Sequence, residues 1–511
     1  MPQDTSANNK RIAKNTLFLY LRMIMVMGIG LYTVRAILDL LGVVDYGIYN
    51  VVGGVVGMFQ FLNGTLATSS QRYFSIELAK GDKKQLNKWF CLNITTFSFF
   101  ILIFLLLAET VGLWFVNTQM TIPSERLFAA NVVYQLSVVS FCVSFFNVPY
   151  NALIIAHERM NAFAYISIVE AFLKLGIVFV LTCITWDRLI VYGILMFLTS
   201  CCITSSYILY NHRHFAESRY RPYWNKEEIA NLISFSGWHF LGTISVVVRS
   251  ECINILINLF FNPAVNAARA IAFQINNFVY QLSTNFFTAV KPQLYKTYAL
   301  GDIKSHHELV NRSTAVCVFL LAIIVFPFIS NTTYILNLWL KSVPEYTVIF
   351  SQLVLINGLI DSTSNPAIAS VLATGRIKCF QIVVSGLTIL NLPLSYVALY
   401  YGATPQTTML ISIGLSVECV IARAYYLNKL THMSLHIYAI MMLRIVGACL
   451  LICGIILLFF YDKATTFISF AISSVLIFLI TILFFALFVF ERSDIKYVFE
   501  IIKSKIAHRY L

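Results

Sequence analysis

The sequence predicts an all-α polytopic membrane protein of about fourteen transmembrane helices, built as two six-helix bundles related by an internal repeat plus a C-terminal helical pair. Three observations carry that prediction. Of 511 residues, 59% are hydrophobic and only 12% charged, against about 25% charged in an ordinary soluble domain. Apolar runs of about 20 residues, the length a helix needs to cross a bilayer, recur from Thr16 almost to the C-terminus. The two halves also share a repeat. A soluble enzyme is excluded, because too few polar residues remain to cover its surface.

Cut at polar or Gly/Pro-marked breaks, the chain yields spans at 16–40, 47–78, 88–116, 126–156, 161–184, 189–211, 232–261, 264–298, 308–330, 346–373, 379–401, 406–428, 438–460 and 465–490. The polar N-terminus has neither the short apolar core nor the cleavage site of a signal peptide, so the first span is expected to stay attached. The longest polar interruption, His212 to Glu228, falls between spans six and seven, where a linker between bundles belongs. The expected organisation is therefore a first bundle at 1–212, a linker at 213–231, a second bundle at 232–430 and two further spans at 431–490. A tail at 491–511 follows, whose Ile495, Val498, Phe499, Ile502 and Ile506 share one helical face. An interfacial helix and an ordinary solvated helix both fit that tail.

A net charge of +13 raises nucleic acid as a partner, but the placement of the cations decides against it. With a cytoplasmic N-terminus, the two tails and the even-numbered connections hold 25 Lys and Arg, and the odd-numbered ones only four: Arg126, Arg188, Lys341 and Lys463. By the positive-inside rule both termini and the linker are expected in the cytoplasm. The eleven cysteines are scattered through apolar segments without a CxxC spacing, so neither disulfides nor a metal site is expected.

A shift of 220 residues lays Ala79, Gly81, Asp82 and Lys84 on Ala299, Gly301, Asp302 and Lys304. A shift of 217 lays Pro149, Ala152, Ala156, Arg159 and Phe163 on Pro366, Ala369, Ala373, Arg376 and Phe380. The offset spans six helices, an even number, so both halves enter the membrane in the same orientation.

Charges inside spans are costly and normally face a cavity or a partner. Arg22 lies about 10 Å into the first helix; a cavity role and snorkelling to the interface both fit it. Arg35 has Asp39 four residues on, and an ion pair fits as well as ligand contact. Lys174 lies one turn beyond Glu170, so mutual neutralisation competes with a role in substrate or proton handling. Arg249 is the strongest single candidate for an anion-binding cation. In span eight, Arg269, Gln274, Asn277, Gln281, Thr284 and Thr288 form one polar stripe, which must face protein or water rather than lipid. Interhelical hydrogen bonding and cavity lining are its two explanations. Glu170, Asp361 and Glu418 are membrane carboxylates that could couple transport to an ion. The His306–His307 pair, at a helix start, is expected to be exposed and incidental. HExxH, P-loop and GxSxG motifs are all missing, and no enzymatic activity is expected.

On RAILDLLGVVDYGIYNVVGGV from Arg35 to Val55, the Gly81–Asp82 turn and the PYNALIIAHERM stretch, the chain resembles the multidrug/oligosaccharidyl-lipid/polysaccharide exporter superfamily over nearly its whole length. Within it the closest resemblance is to the polysaccharide or O-antigen repeat-unit flippases (Wzx-type). The resemblance implies two bundles around a central cavity and alternating-access transport of an undecaprenyl-diphosphate-linked oligosaccharide across the bacterial inner membrane. It also implies membrane lipids, glycosyltransferases and a polysaccharide polymerase as partners. No cofactor is expected beyond a coupling Na+ or H+. On this reading Arg22, Arg249 and Arg269, with Lys174 and Arg35 as further candidates, hold the diphosphate, and Gln274, Asn277 and Gln281 meet the sugars. Two rivals stand beside it. A cation-coupled multidrug exporter of the same fold should have an acidic, aromatic pocket, and a membrane polymerase or glycosyltransferase should carry a large extracytoplasmic loop.

Overall fold

Residues 5–57, 59–118, 120, 122–261, 263–340 and 342–491 are described by a computed structural model, which is 88% helical and has no strand among these residues. Eleven of the expected spans are helices long and apolar enough to cross a membrane, and the chain is a multi-pass membrane protein. The other three expected spans, the second, eighth and tenth, are helical as well. Two of them carry too many polar residues to stand out as membrane helices, and the third is broken into short pieces. The tail expected at 491–511 lies, beyond Glu491, outside the described residues.

The chain divides into two compact units, Met1–Phe240 and Leu241–Leu511, with the division inside one long helix. In the first unit α1 (Thr5–Gly57) turns at Gly42, whose φ of 77° and ψ of 166° are open only to glycine. The expected connection at 41–46 is therefore a one-residue hinge between two helical limbs. There follow α2 (Gln60–Lys80), α3 (Lys83–Leu107), a π-helical turn and α4 (Leu113–Thr118). Next come α5 (Leu127–Phe145), α6 (Asn147–Ala156), α7 (Met160–Cys183), α8 (Arg188–His214) and the start of α9 (Lys226–Phe260). Their packing buries apolar clusters around Val52, Phe97, Tyr134 and Phe145, around Phe74, Phe90, Leu153 and Tyr207, and around Ile37, Ile177, Leu181 and Tyr192.

The second unit continues α9 with α10 (Pro263–Ala299), α11 (Ile303–Ser330), α12 (Thr332–Trp339), α13 (Thr347–Ser362) and α14 (Asn365–Thr374). Then come α15 (Lys378–Ile389), α16 (Asn391–Tyr400), α17 (Thr407–Thr431), α18 (Leu435–Ile455) and α19 (Phe467–Phe484). The final pair, α18 and α19, packs Ile445, Ile452, Ile477 and Phe485 into one cluster with Val318, Leu321 and Phe326 of α11.

Local geometry repeats with the sequence. Gly81 and Gly301 both end a helix in the left-handed region, at φ 75° and 71°. In each turn the next residue's amide reaches back to a carbonyl five residues earlier, Asp82 to Glu77 and Asp302 to Thr297, both at 3.2 Å. Asp82 and Asp302 then cap the following helix by accepting from the amides of Gln85 (2.9 Å) and Ser305 (3.2 Å). The expected tenth span breaks at Thr363–Ser364, and the fourth breaks at Phe146. Each resumes as a ten-residue helix carrying Pro149 or Pro366 in its first turn.

Candidate functional site

The first unit encloses a cavity of about 540 Å³. Each wall is one helical stripe. From α7 come Phe163, Ser167, Glu170 and Lys174, spaced i, i+4, i+7 and i+11, and from α5 come Ser137, Ser140 and Ser144. α8 adds Thr199, Ser200 and Tyr207, α6 adds Asn147 and Asn151, and α1 brings Arg22 from one limb and Tyr49 from the other.

Arg22 is the cavity cation that forms no ion pair among the described residues, although Glu170 on the same wall is near enough to act on it through space. Its guanidinium lies over the Phe163 ring, 4.5 Å from the centroid, a cation–π contact that holds the group in place while leaving its N–H edge free to donate. Its Nε is buried and meets no acceptor. Lys174 donates to Glu170 at 2.7 Å, so that pair is neutralised within α7 and the net charge of the lining comes from Arg22. The hydroxyls have a common polarity. Ser140, Ser144, Ser167, Thr199 and Ser200 each donate to a carbonyl of their own helix at 2.7–3.2 Å. Their lone pairs are what remain for a ligand, as an acceptor surface for hydroxyl donors. Sequence reading missed these hydroxyls; their i, i+3, i+7 spacing on α5 was the available signal.

Arg35 and Asp39 are both exposed, and no ion pair joins them. In the second unit Arg269 is only 3% exposed, donates to Asn254 and lies 4.4 Å over the Phe273 ring. Asn254 in turn donates to Glu251 at 3.4 Å. Arg269 is thus sealed in the helix packing of this unit and does not line an open space. Arg249 is half-buried on α9, with no hydrogen bond or ion pair among the described residues. Gln274, Asn277 and Gln281 stand exposed along α10, while Ala272, Ile275 and Val279 on its other side are buried. Arg269 of the stripe is bound across to α9, Thr284 and Thr288 donate within α10, and Gln274, Asn277 and Gln281 stand in the open. Asp361 is half-buried and accepts from Asn357 at 2.9 Å, with Tyr280 and Asn365 hydrogen-bonded to each other nearby at 3.1 Å. Glu418 is exposed on α17.

The histidine pair differs from expectation. His306 is fully buried and bridges Thr297 of α10 (3.0 Å) and Ser370 of α14 (2.5 Å), and His307 donates to the Thr431 carbonyl at the end of α17 (3.0 Å). Both tie helices together, because the turn after Gly301 directs them inward.

At the ends of the first unit the charges are structural. Arg126 bridges Asp45 and Asp187, the latter at 2.6 Å, and Asp187 also caps α8. At the opposite end His157, stacked on Phe215 at 3.9 Å, donates to Glu217 of the linker at 2.7 Å. That hydrogen bond holds the Glu217 carboxyl below its ordinary range.

The fold is that of transporters of the MATE family in the MOP superfamily. An outward-facing multidrug resistance MATE family transporter of that superfamily superposes with a TM-score of 0.67 at 12% identity, over 84% of this chain and 96% of the other. A MOP superfamily transporter from Pyrococcus furiosus, described by the reverse polarity of its binding pocket, gives 0.65 at 11% identity over 83% and 96%. The MATE transporter ClbM in complex with Rb+ gives 0.66 at 13% identity over 82% and 94%. No family model and no curated protein matches the chain.

Proposed function

We propose that the chain is a flippase for an undecaprenyl-diphosphate-linked oligosaccharide of an O-antigen, capsule or related pathway, working by alternating access in the bacterial inner membrane. The observation that carries this reading is the cavity of the first unit: one cation outside any ion pair, in a lining of net positive charge, surrounded by hydroxyl oxygens whose protons are already committed. An anion with attached sugars matches both features, since Arg gives charge-assisted bonds to phosphate and sugar hydroxyls donate to the waiting oxygens. Arg249 and the exposed amides of α10 offer the second unit's share of the same chemistry. Both termini and the linker are cytoplasmic on this reading. On the sparse side of the charge split Arg126 is bound to two carboxylates and Arg188 donates to the Leu40 carbonyl.

A cation-coupled multidrug exporter is the second reading, favoured by the neighbours' fold and by Glu170 in the cavity wall. The Lys174 partner weighs against it, because a neutralised carboxylate attracts a cationic drug poorly. Coupling by Na+ or H+ belongs to either reading, with Asp361 and Glu170 half-buried and Glu418 exposed. Reconstituted proteoliposomes separate the two. Translocation of a fluorescent polyprenyl-diphosphate sugar, lost in Arg22→Ala, is expected; efflux of a cationic dye without that translocation, unchanged in Arg22→Ala, would establish the exporter.

A further inference from the structure

The linker is a built surface on the first unit. After His214 the chain runs extended from Arg219 to Asn225, where Pro222 lacks the amide a helix needs. This strip is zipped onto α3. Asn87 donates to the carbonyls of Glu217 and Arg219 at 2.7 and 2.8 Å, the Arg221 amide donates to Cys91 Sγ at 3.2 Å, and Thr95 and Tyr220 share a hydroxyl bond at 3.1 Å.

The face of α3 that carries the strip changes character along its length. Lys84 and Lys88 begin it, both exposed, and Lys88 Nζ sits 5.4 Å above the Tyr223 ring. Cys91 and Thr95 lie under the strip. Phe99, Leu102 and Leu106 continue the same face, each more than half exposed, as lipid-facing residues of a membrane helix must be. Tyr220 is therefore anchored about one turn short of the apolar belt, and the strip lies where the belt gives way to cations. Its own side chains match that depth: Arg219 and Arg221 are exposed, and Trp224 is 71% exposed. Of the nearby carboxylates, Asp82 caps α3, Glu217 is bound to His157 and Glu228 accepts from Gln85 at 2.8 Å, and Glu227 stands exposed against Lys84, Lys88, Arg219 and Arg221. The cations are left in excess.

We infer that this strip is a head-group site for anionic phospholipid, with Arg219, Arg221 and Lys88 taking the phosphate and Tyr220 and Trp224 lying at the acyl boundary. Charge complementarity and continuity with the apolar face of α3 select a lipid over a soluble anion, because only a lipid satisfies the cations and the belt together. The surface is separate from the cavity and holds whatever the transported substrate is.

The test uses the full-length protein in detergent and native mass spectrometry with phosphatidylglycerol or phosphatidylcholine. Wild type should retain phosphatidylglycerol preferentially, and Lys88→Gln/Arg219→Gln/Arg221→Gln should weaken that retention roughly ten- to a hundredfold without changing phosphatidylcholine. Lys at 219 and 221 should restore most of it. Independently of that variant's folding, a protein whose other tryptophans are replaced by Phe should show Trp224 fluorescence quenched by brominated phosphatidylglycerol in bilayers. Equal phosphatidylglycerol retention in a folded triple-Gln variant would overturn the site. So would Trp224 quenched by aqueous acrylamide but not by brominated lipid, or displacement of the lipid by inorganic phosphate at the same concentration.

Discussion

Arg22 is the residue on which the proposed chemistry turns, and its environment defines the expected effect. Arg22→Ala removes a charge-assisted donor, so flipping should fall by about ten- to a hundredfold, measured by lipid translocation at matched protein levels. Lys should keep part of the rate, because it preserves the charge and loses the fork. Lys174→Ala should behave differently: it leaves Glu170 uncompensated, and its cost should be relieved in Lys174→Ala/Glu170→Ala, which a non-additive double-mutant cycle in the same assay would show. The linker latch gives a pH prediction. Since Glu217 is held below its ordinary value, its contribution is complete above the unfolded-state value near 4.5 and is lost as pH falls through the lower folded value. Thermal unfolding of wild type and Glu217→Gln should therefore differ by a constant amount from pH 7 to 5 and converge below about pH 4.5. Charges such as Arg22, Glu170 and Lys174 were legible because they are conspicuous in an apolar run. The cavity serines were not, since a hydroxyl bonded to its own helix is tolerated anywhere in a span. His306 was misread because only the packing of α10, α11 and α14 shows where the turn aims it.

At the scale of elements, the repeat was readable where backbone geometry demands a residue type. Gly81 and Gly301 are matched because both chains need positive φ at a helix end. The pairing also shows where the halves part: the turn after α6 places Glu158 at φ 59°, where the turn after α14 has Gly375 at φ 77°. A buried carboxylate in a left-handed conformation has a compensation here, for Glu158 pairs with Arg11 of α1 at 3.7 Å. Gly81→Ala and Gly301→Ala should each destabilise by about 1 kcal/mol, read as lowered thermal midpoints of the purified protein. Glu158→Gly relieves the backbone and loses the ion pair, so its midpoint should change less than that of Glu158→Ala, which loses the pair and keeps the strain. The helix break at Phe146 was not legible, because an apolar run continues through it. The break at Thr363–Ser364 did carry a signal, the polar run from Asp361 to Asn365 ahead of Pro366.

For the whole molecule, the second and eighth spans were obscured by the polar residues they carry, and the tenth by its break into two short helices. Sidedness rests on the 25 to 4 division of Lys and Arg. The structure selects the probes. Ser218, in the middle of the linker, is fully buried and would resist labelling on either side, whereas Ala216 beside it is exposed. Thr465, between α18 and α19, is exposed on the opposite connection. In a variant with its eleven cysteines replaced, a cysteine at Thr465 should react with an impermeant maleimide added to intact cells, and one at Ala216 only after the cells are permeabilised. The opposite pattern would invert the protein in the membrane, turn its cation-rich connections away from the cytoplasm and remove the basis for assigning the direction of transport.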